Sequence, residues 1–411
     1  MIDDSLSIDN TLNTERNSGK TVFCFQSVVF LFTLGVVFSF SENTTLGLMY
    51  DVVLLFELLF FLFYALTVEK IDKTEIVLLL LVAAMTVFRV VFIFIDSPQY
   101  NIRCIIQIGM IIALLLFASK IKLRKEDVSF YNVLLFAVNI LGLIDYFMSK
   151  DKIVFAVFGS MNTLAGTFLF LLCLDIILMQ WQMKKRYIAN IILCLVIIFL
   201  SSSRTPLLML GAFLVCWVLL KTVFKSVKGR KLLFILFVVV GTLLIYAYIN
   251  IDKWPIYSVI NEWSLKLFGK NINSGRPLIW AETLEFIKND WLFGVGFVEH
   301  AHGNSGHNQF IQLLGDNGVV GLLLFIVFLQ VIWNKLSKYG SDKTVRVCMA
   351  LMLSFLVYNC FEVTLLQNKF ALGCLQWLVI GIGLGRCRYL QRKIVENKTN
   401  QNDKEIGYEV L

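Results

Sequence analysis

Long apolar runs separated by polar breaks make up most of the chain from residue 21 onward. They fall at 21–40, 46–66, 76–95, 102–119, 128–148, 163–181, 187–200, 206–220, 232–249, 318–333, 347–366 and 371–385. A bilayer-crossing helix needs about 20 mostly apolar residues, so the pattern predicts an all-α, polytopic membrane protein of about twelve transmembrane helices. On this reading 1–20 is a polar tail, 21–249 holds helices one to nine, 318–385 holds helices ten to twelve, and 386–411 is a second tail.

The break between the ninth and tenth runs is different in kind. It occupies 250–317, whereas connections beyond about 15 residues are usually functional or disordered. Trp254, Trp263, Trp280 and Trp291 make it too aromatic for a flexible linker. Pro277 suits a helix start, and Trp280, Leu284, Ile287 and Trp291 recur on one face, with Glu282, Glu285 and Lys288 largely off it. That stretch predicts an amphipathic helix at the membrane surface, its tryptophan rings at headgroup level.

Composition agrees with the pattern. Hydrophobic residues form 58% of the chain and charged residues 16%, against roughly 25% charged in a soluble domain. No soluble domain of useful size remains outside the apolar runs. The first twenty residues lack a basic segment leading to a small-residue cleavage site, so the first run reads as an uncleaved anchor. The nine cysteines stand singly at 24, 104, 173, 194, 216, 348, 360, 374 and 387, with no CxxC pair. They support neither a zinc site nor a disulfide framework, and read as small buried hydrophobes.

The formal charge of +8 reflects topology rather than a nucleic-acid partner. Basic segments at 69–73, 120–127, 184–186, 221–231, 335–346 and 386–393 all fall on the side of the N-terminus. Counting both tails, about 26 of the 37 Lys and Arg lie on that side, about ten on the other, and Arg89 lies mid-helix. Positive residues face the cytoplasm, so both termini are expected there and the 250–317 loop outside.

Three elements in or beside that outer face carry candidate chemistry. All three histidines, His300, His302 and His307, fall within eight residues of the long loop. Imidazole is the usual proton handler near neutral pH. His307 with Asn308 stands at the mouth of helix ten, whereas His300 and His302 sit in a Gly-rich turn and read as exposed loop residues. Neither HExxH nor a Cys or carboxylate ligand at a recognised spacing accompanies them, so no metal is expected. Arg204 lies between helices seven and eight among hydroxyls, with Ser203 before it and Thr205 after. A guanidinium there binds phosphate well, or simply snorkels to headgroups. Arg276 opens the amphipathic helix, where orphan amides and the helix dipole also favour an anion; the alternative is an ordinary exposed cap. Ionisable residues inside apolar runs, Glu57, Arg89, Asp145, Asp175 and Glu362, are costly at depth and face a bundle interior. Glu57 and Arg89 suit a pair between helices two and three, and Glu362 is placed to reach the vestibule of His307.

With its SxSR element, SGRPLIW in the long loop, GVG at 294–296 and HNQFIQLLGDNGVVG from His307, the chain resembles the O-antigen polymerase and ligase superfamily. By motif the resemblance spans about 199 to 321, and by topology the whole chain. It implies a membrane-embedded outer cavity in the bacterial cytoplasmic membrane and inverting, metal-independent glycosyl transfer without a cofactor. The substrates would be glycans on undecaprenyl pyrophosphate. It places the catalytic base on His307 and the pyrophosphate on Arg204 and Arg276, with Asn308, Ser203 and Glu362 as supporting residues. Partners would be membrane lipids, a flippase and a chain-length regulator. The loop is shorter than in many relatives and a second large outer loop is missing, which weakens any transfer of acceptor specificity.

These features point first to a polymerase of capsule, exopolysaccharide or O-antigen, and second to a ligase that hands the glycan to another acceptor. Few prolines with abundant Phe, Ile, Lys and Asn suggest a low-GC bacterium, which favours the polymerase. A lipid-linked oligosaccharide flippase is the reading from another class. Flippases often show a two-fold internal repeat and no long structured outer loop, and this sequence meets neither expectation.

Overall fold

The computed structural model describes residues 70–95, 98–121, 125–150, 161–180, 185–297, 306–366 and 370–409, with scattered positions between 52 and 67. Among them the chain forms twelve α-helices and one 3-10 helix, and no strand. In order these are α1 (Lys73–Ile93), α2 (Pro98–Lys120), α3 (Lys125–Lys150), α4 (Met161–Leu178), α5 (Lys185–Leu200), α6 (Arg204–Thr222) and α7 (Val227–Ile249). After the 3-10 turn at Ile251–Lys253 come α8 (Tyr257–Phe268), α9 (Arg276–Phe286), α10 (Gln309–Tyr339), α11 (Lys343–Asn359) and α12 (Phe370–Glu409). Seven, namely α1 to α4, α6, α7 and α10, are long and apolar enough to cross a membrane, as a polytopic protein requires. The first predicted run and most of the second lie outside the described residues, as do Cys24, Glu57, His300 and His302. Among the described residues the eight cysteines form no disulfide, and all but the half-buried Cys360 are buried.

α12 packs along α2, α6 along α11, and α1 against both α2 and α10. Ion pairs tie one end of this bundle together: Lys335 to Asp72 at 3.0 Å, Arg386 to Asp342 at 2.8 Å and Arg388 to Glu75 at 2.7 Å. Burial raises the Asp72 carboxyl, but the Glu75 amide and the ammonium of Lys335 outweigh it and hold the group below its usual value. These residues come from the segments that the charge bias assigns to one side. α10 runs from this end to the opposite one, where Arg204, Arg276 and His307 lie.

The structure bears on three expectations. The eleventh run is helical only to Asn359, because its side chain then takes over from the backbone ladder. Asn359 Oδ1 accepts from the amides of Thr364 and Leu365 at 3.1 and 3.2 Å, holding 360–366 as a buried, irregular segment. Irregular backbone at membrane depth persists where protein satisfies it. Second, Arg89 pairs with Asp316 at 3.2 Å across α1 and α10, while the expected pair with Glu57 lies outside the described residues. Third, α9 ends at Phe286, and its buried face is Pro277, Trp280 and Thr283. Trp280 is 0% exposed while Trp254, Trp263 and Trp291 are at least half exposed, so Trp280 belongs to the interior rather than the headgroup layer. Its indole packs on Tyr248 and Phe361 with centroids 5.2 and 6.1 Å away.

α10 is broken at Gly318 (φ 62°, ψ −168°), a conformation essentially restricted to glycine. Residues 291–296 fill the break. Val295 and Gly296 amides donate to Gly315 and Asp316 carbonyls at 2.9 and 3.0 Å, and Val319 and Val320 amides donate to Trp291 and Leu292 carbonyls at 2.9 and 3.2 Å. Gly294 (φ 76°) permits this approach, since a Cβ there would come within 2.6 Å of the Asn317 amide nitrogen. The GVG and GDNG motifs are thus two halves of one backbone junction. Gly318→Ala is expected to cost about 3 kcal/mol or more, from strain plus collision with the Leu292 carbonyl. Gly241→Ala, in a helix with open space around it, is the control expected to hold or gain stability. Thermal unfolding in detergent compares them; equal midpoints would mean that the junction is not rigid.

Candidate active site

The site is assembled from the start of α6, the loop before α9, the segment after α11 and the start of α10. Arg204 is the first residue of α6, and its guanidinium reaches over the 270–275 loop. Nη1 donates to Ser264 Oγ at 3.0 Å and to the Asn271 carbonyl at 2.8 Å, and Nη2 donates to Ser274 Oγ. That loop is folded back on α8 by the left-handed cap Gly269 and by Asn261 Oδ1, which accepts from the Ile272 amide at 2.9 Å. Among the described residues no carboxylate pairs with Arg204, so this half-buried cation keeps its charge.

Arg276 begins α9 and donates to Glu362 Oε1 at 3.1 Å, in the irregular segment after α11. Its guanidinium also lies 5.9 Å from the centre of the Phe361 ring. Tyr248, at the end of α7, joins the two arginines. Both cations act electrostatically on it, and its hydroxyl lies 3.0 Å from the carbonyls of Ile272 and Asn273, donating to one at a time. The two guanidiniums are close enough to repel each other. Tyr248, Trp280 and Phe361 form an aromatic block behind them, with Tyr248 and Phe361 centroids 5.6 Å apart.

The same block reaches the histidine. Trp280 Nε1 donates to the Gly306 carbonyl at 2.6 Å, one residue before His307. His307 is exposed, whereas Asn308 is fully buried and caps α10, its Oδ1 accepting from the amides of Phe310 and Ile311 at 2.9 and 3.1 Å. Ser203 is likewise turned to structure, donating to Asn162 Oδ1 at 3.2 Å. Among the described residues the non-glycine positions with positive φ are Ser202 (51°), Ser274 (48°) and His307 (44°). Each lies in one of the three motif segments, two of them two residues before an arginine. Strain of this kind costs on the order of 1–3 kcal/mol per residue and persists where the surroundings over-determine it, typically at functional sites.

Residues 189–326 match the family model described as O-antigen ligase. Over that span the chain is similar to the O-antigen polymerase and ligase superfamily. The matched span runs from α5 into α10, so the superfamily region holds Arg204, Arg276, His307 and the 291–296 junction. It leaves Arg89 and Glu362 to other parts of the chain. Members of that family are glycosyltransferase-like enzymes, and the seven long apolar helices of this chain fit a polytopic membrane protein. Neither the curated proteins nor the solved structures gave a match.

Sequence reasoning missed Tyr248 and Phe361, which lie in apolar runs and carry no motif signal. It also missed the specific partner of Arg276, although Glu362 was singled out as a charge near the outer end of its run.

Proposed function

We propose that this protein is a polysaccharide polymerase that moves a growing glycan from undecaprenyl pyrophosphate to the terminal sugar of a lipid-linked repeat unit. The observation that carries the reading is Arg204, a half-buried guanidinium without a counter-ion among the described residues, beside Arg276 and joined through the Trp280 block to His307. A diphosphate supplies the missing negative charge. Arg276, already neutralised by Glu362, adds directed N–H donors more than net charge. As C1 of the donor sugar separates from the diphosphate oxygen, negative charge grows on the leaving group, and the guanidiniums hold it without a metal. The acceptor hydroxyl bonds to C1 from the opposite face, giving inversion, and its proton passes to the imidazole of His307.

The site lies at the end of the bundle opposite the ion-paired basic end, and the positive-inside rule makes this support for an extracytoplasmic site. Exposed apolar side chains on α7 and α8, among them Val240, Leu244, Val259 and Trp263, suit a surface bathed in lipid, where a polyprenyl tail stays while its head enters the site. A ligase remains the second reading because the matched model carries that description.

The test uses purified protein in liposomes with undecaprenyl-diphosphate-linked repeat units supplied on the site's side only. A ladder of lengthened lipid-linked glycans is expected. Transfer only to an added non-identical acceptor would select the ligase. Passage of labelled oligosaccharide across the bilayer with no new glycosidic bond would overturn both.

A further inference from the structure

Arg89 and Asp316 are buried to 1% and 0% exposure, and the proposed chemistry uses neither. A buried ion pair is weak evidence for stability, since apolar side chains of the same volume often do as well; its best-attested use is to fix register. The contacts of this pair show what it fixes. Asp316 Oδ2 accepts from Arg89 Nη2 at 3.2 Å and from the Tyr100 hydroxyl at 2.8 Å, and Asp316 Oδ1 accepts from Gln312 Nε2 at 3.2 Å. Gln312 Oε1 then accepts from the Gly306 amide at 3.2 Å. Arg89 Nη1 meanwhile donates to Asn101 Oδ1 at 3.0 Å and to the Gly296 carbonyl at 2.7 Å, so it also holds the 291–296 junction.

The direction of this chain is set chemically. A primary amide has one accepting end and one donating end, and a carboxylate only accepts. Asp316 therefore compels Gln312 to turn its NH2 inward and its oxygen towards Gly306. Arg89 is the buried cation beside that carboxylate. Gly306 is thereby gripped on both faces, its N–H by Gln312 and its carbonyl by Trp280. The next residue is His307, in a left-handed conformation that a β-carbon disfavours. Asn308, capping α10, fixes the other side.

We propose that Arg89, Asp316 and Gln312 are positioning residues that act through Gly306 to hold the backbone of His307 in its strained orientation. The proposal rests on His307 being the proton acceptor. Misplacing a catalytic group by about an ångström costs on the order of 100-fold, so loss of the relay lowers turnover and leaves donor affinity intact.

The test measures kcat and KM for chain growth in liposomes with undecaprenyl-diphosphate-linked repeat units, together with thermal midpoints. Gln312→Met, near in volume and unable to bridge, is compared with Asp316→Asn, each alone and combined with His307→Ala. Expected are roughly 10- to 100-fold losses in kcat, KM within about twofold, and no further loss when either is added to His307→Ala. Should Asp316→Asn fail to fold, Gln312→Met alone decides. Wild-type kcat in Gln312→Met beside an inactive His307→Ala overturns the relay while sparing the histidine. A loss that persists in full on the His307→Ala background also overturns it, because the residues then act elsewhere. Unimpaired growth by His307→Ala itself would remove the base on which the relay depends, which is a separate failure.

Discussion

A His307→Ala protein is expected to insert, fold and bind lipid-linked donor normally, and to lose chain growth by about 10²- to 10⁴-fold, the usual contribution of a positioned general base. Folding is spared because His307 is exposed, while Gly306 and Asn308 on either side anchor the turn to Trp280 and to the start of α10. Removing the side chain also leaves a residue that still carries a β-carbon, so the left-handed strain remains and no large change in stability is expected. Turnover of defined repeat units, measured beside donor binding and a thermal midpoint, separates these quantities. Wild-type chain lengths from the variant would take the imidazole out of the mechanism.

Why this histidine was legible, while its supports were not, is a matter of distance along the chain. His307 announced itself because polar residues at 306–309 lead straight into an apolar helix, and local pattern suffices for that. The same holds for most of the ten described spans, whose helices lie within a few residues of their apolar runs, but α10 starts at Gln309, well before its run, and α12 continues to Glu409, far beyond the run that ends at 385. Asn359 ended α11 early by hydrogen bonding to residues five and six ahead, which hydropathy does not register. Trp280 was misassigned for a similar reason. A tryptophan stripe on a surface helix looks alike whether it faces headgroups or an aromatic block, and only Tyr248 and Phe361, 32 residues before and 81 after, decide between them. Arg89 and Asp316 stand 227 positions apart. A lone buried charge in one run signals that a partner exists, and folding alone identifies it.

The second large effect concerns the arginines, which are expected to differ. Arg204→Ala should reduce turnover by about 10²- to 10³-fold, as loss of one electrostatic donor does. Its loop contacts are to neutral groups, so stability should fall only modestly. Arg204→Lys should recover part of the rate, since the charge survives and the planar fork does not. Arg276→Ala should cost both activity and stability, because Glu362, with 7% side-chain exposure, loses its cation. Breaking a buried pair from one side costs on the order of 3 kcal/mol. Adding Glu362→Gln should restore the thermal midpoint without restoring turnover, which isolates the contribution of Arg276 to the reaction. Equal, near-normal rates in both single alanine variants would reduce the two residues to membrane anchors.

The break in α10 also bears on how the protein is made. Residues 291–296 leave the ribosome before Gly318, and their amides and carbonyls are those that the interrupted span needs. A span with unmet backbone groups is poorly tolerated in hydrocarbon. The tenth helix therefore enters the bilayer complete only if the earlier segment has already docked at its place, and a chain stalled between the two would be left with an unstable crossing.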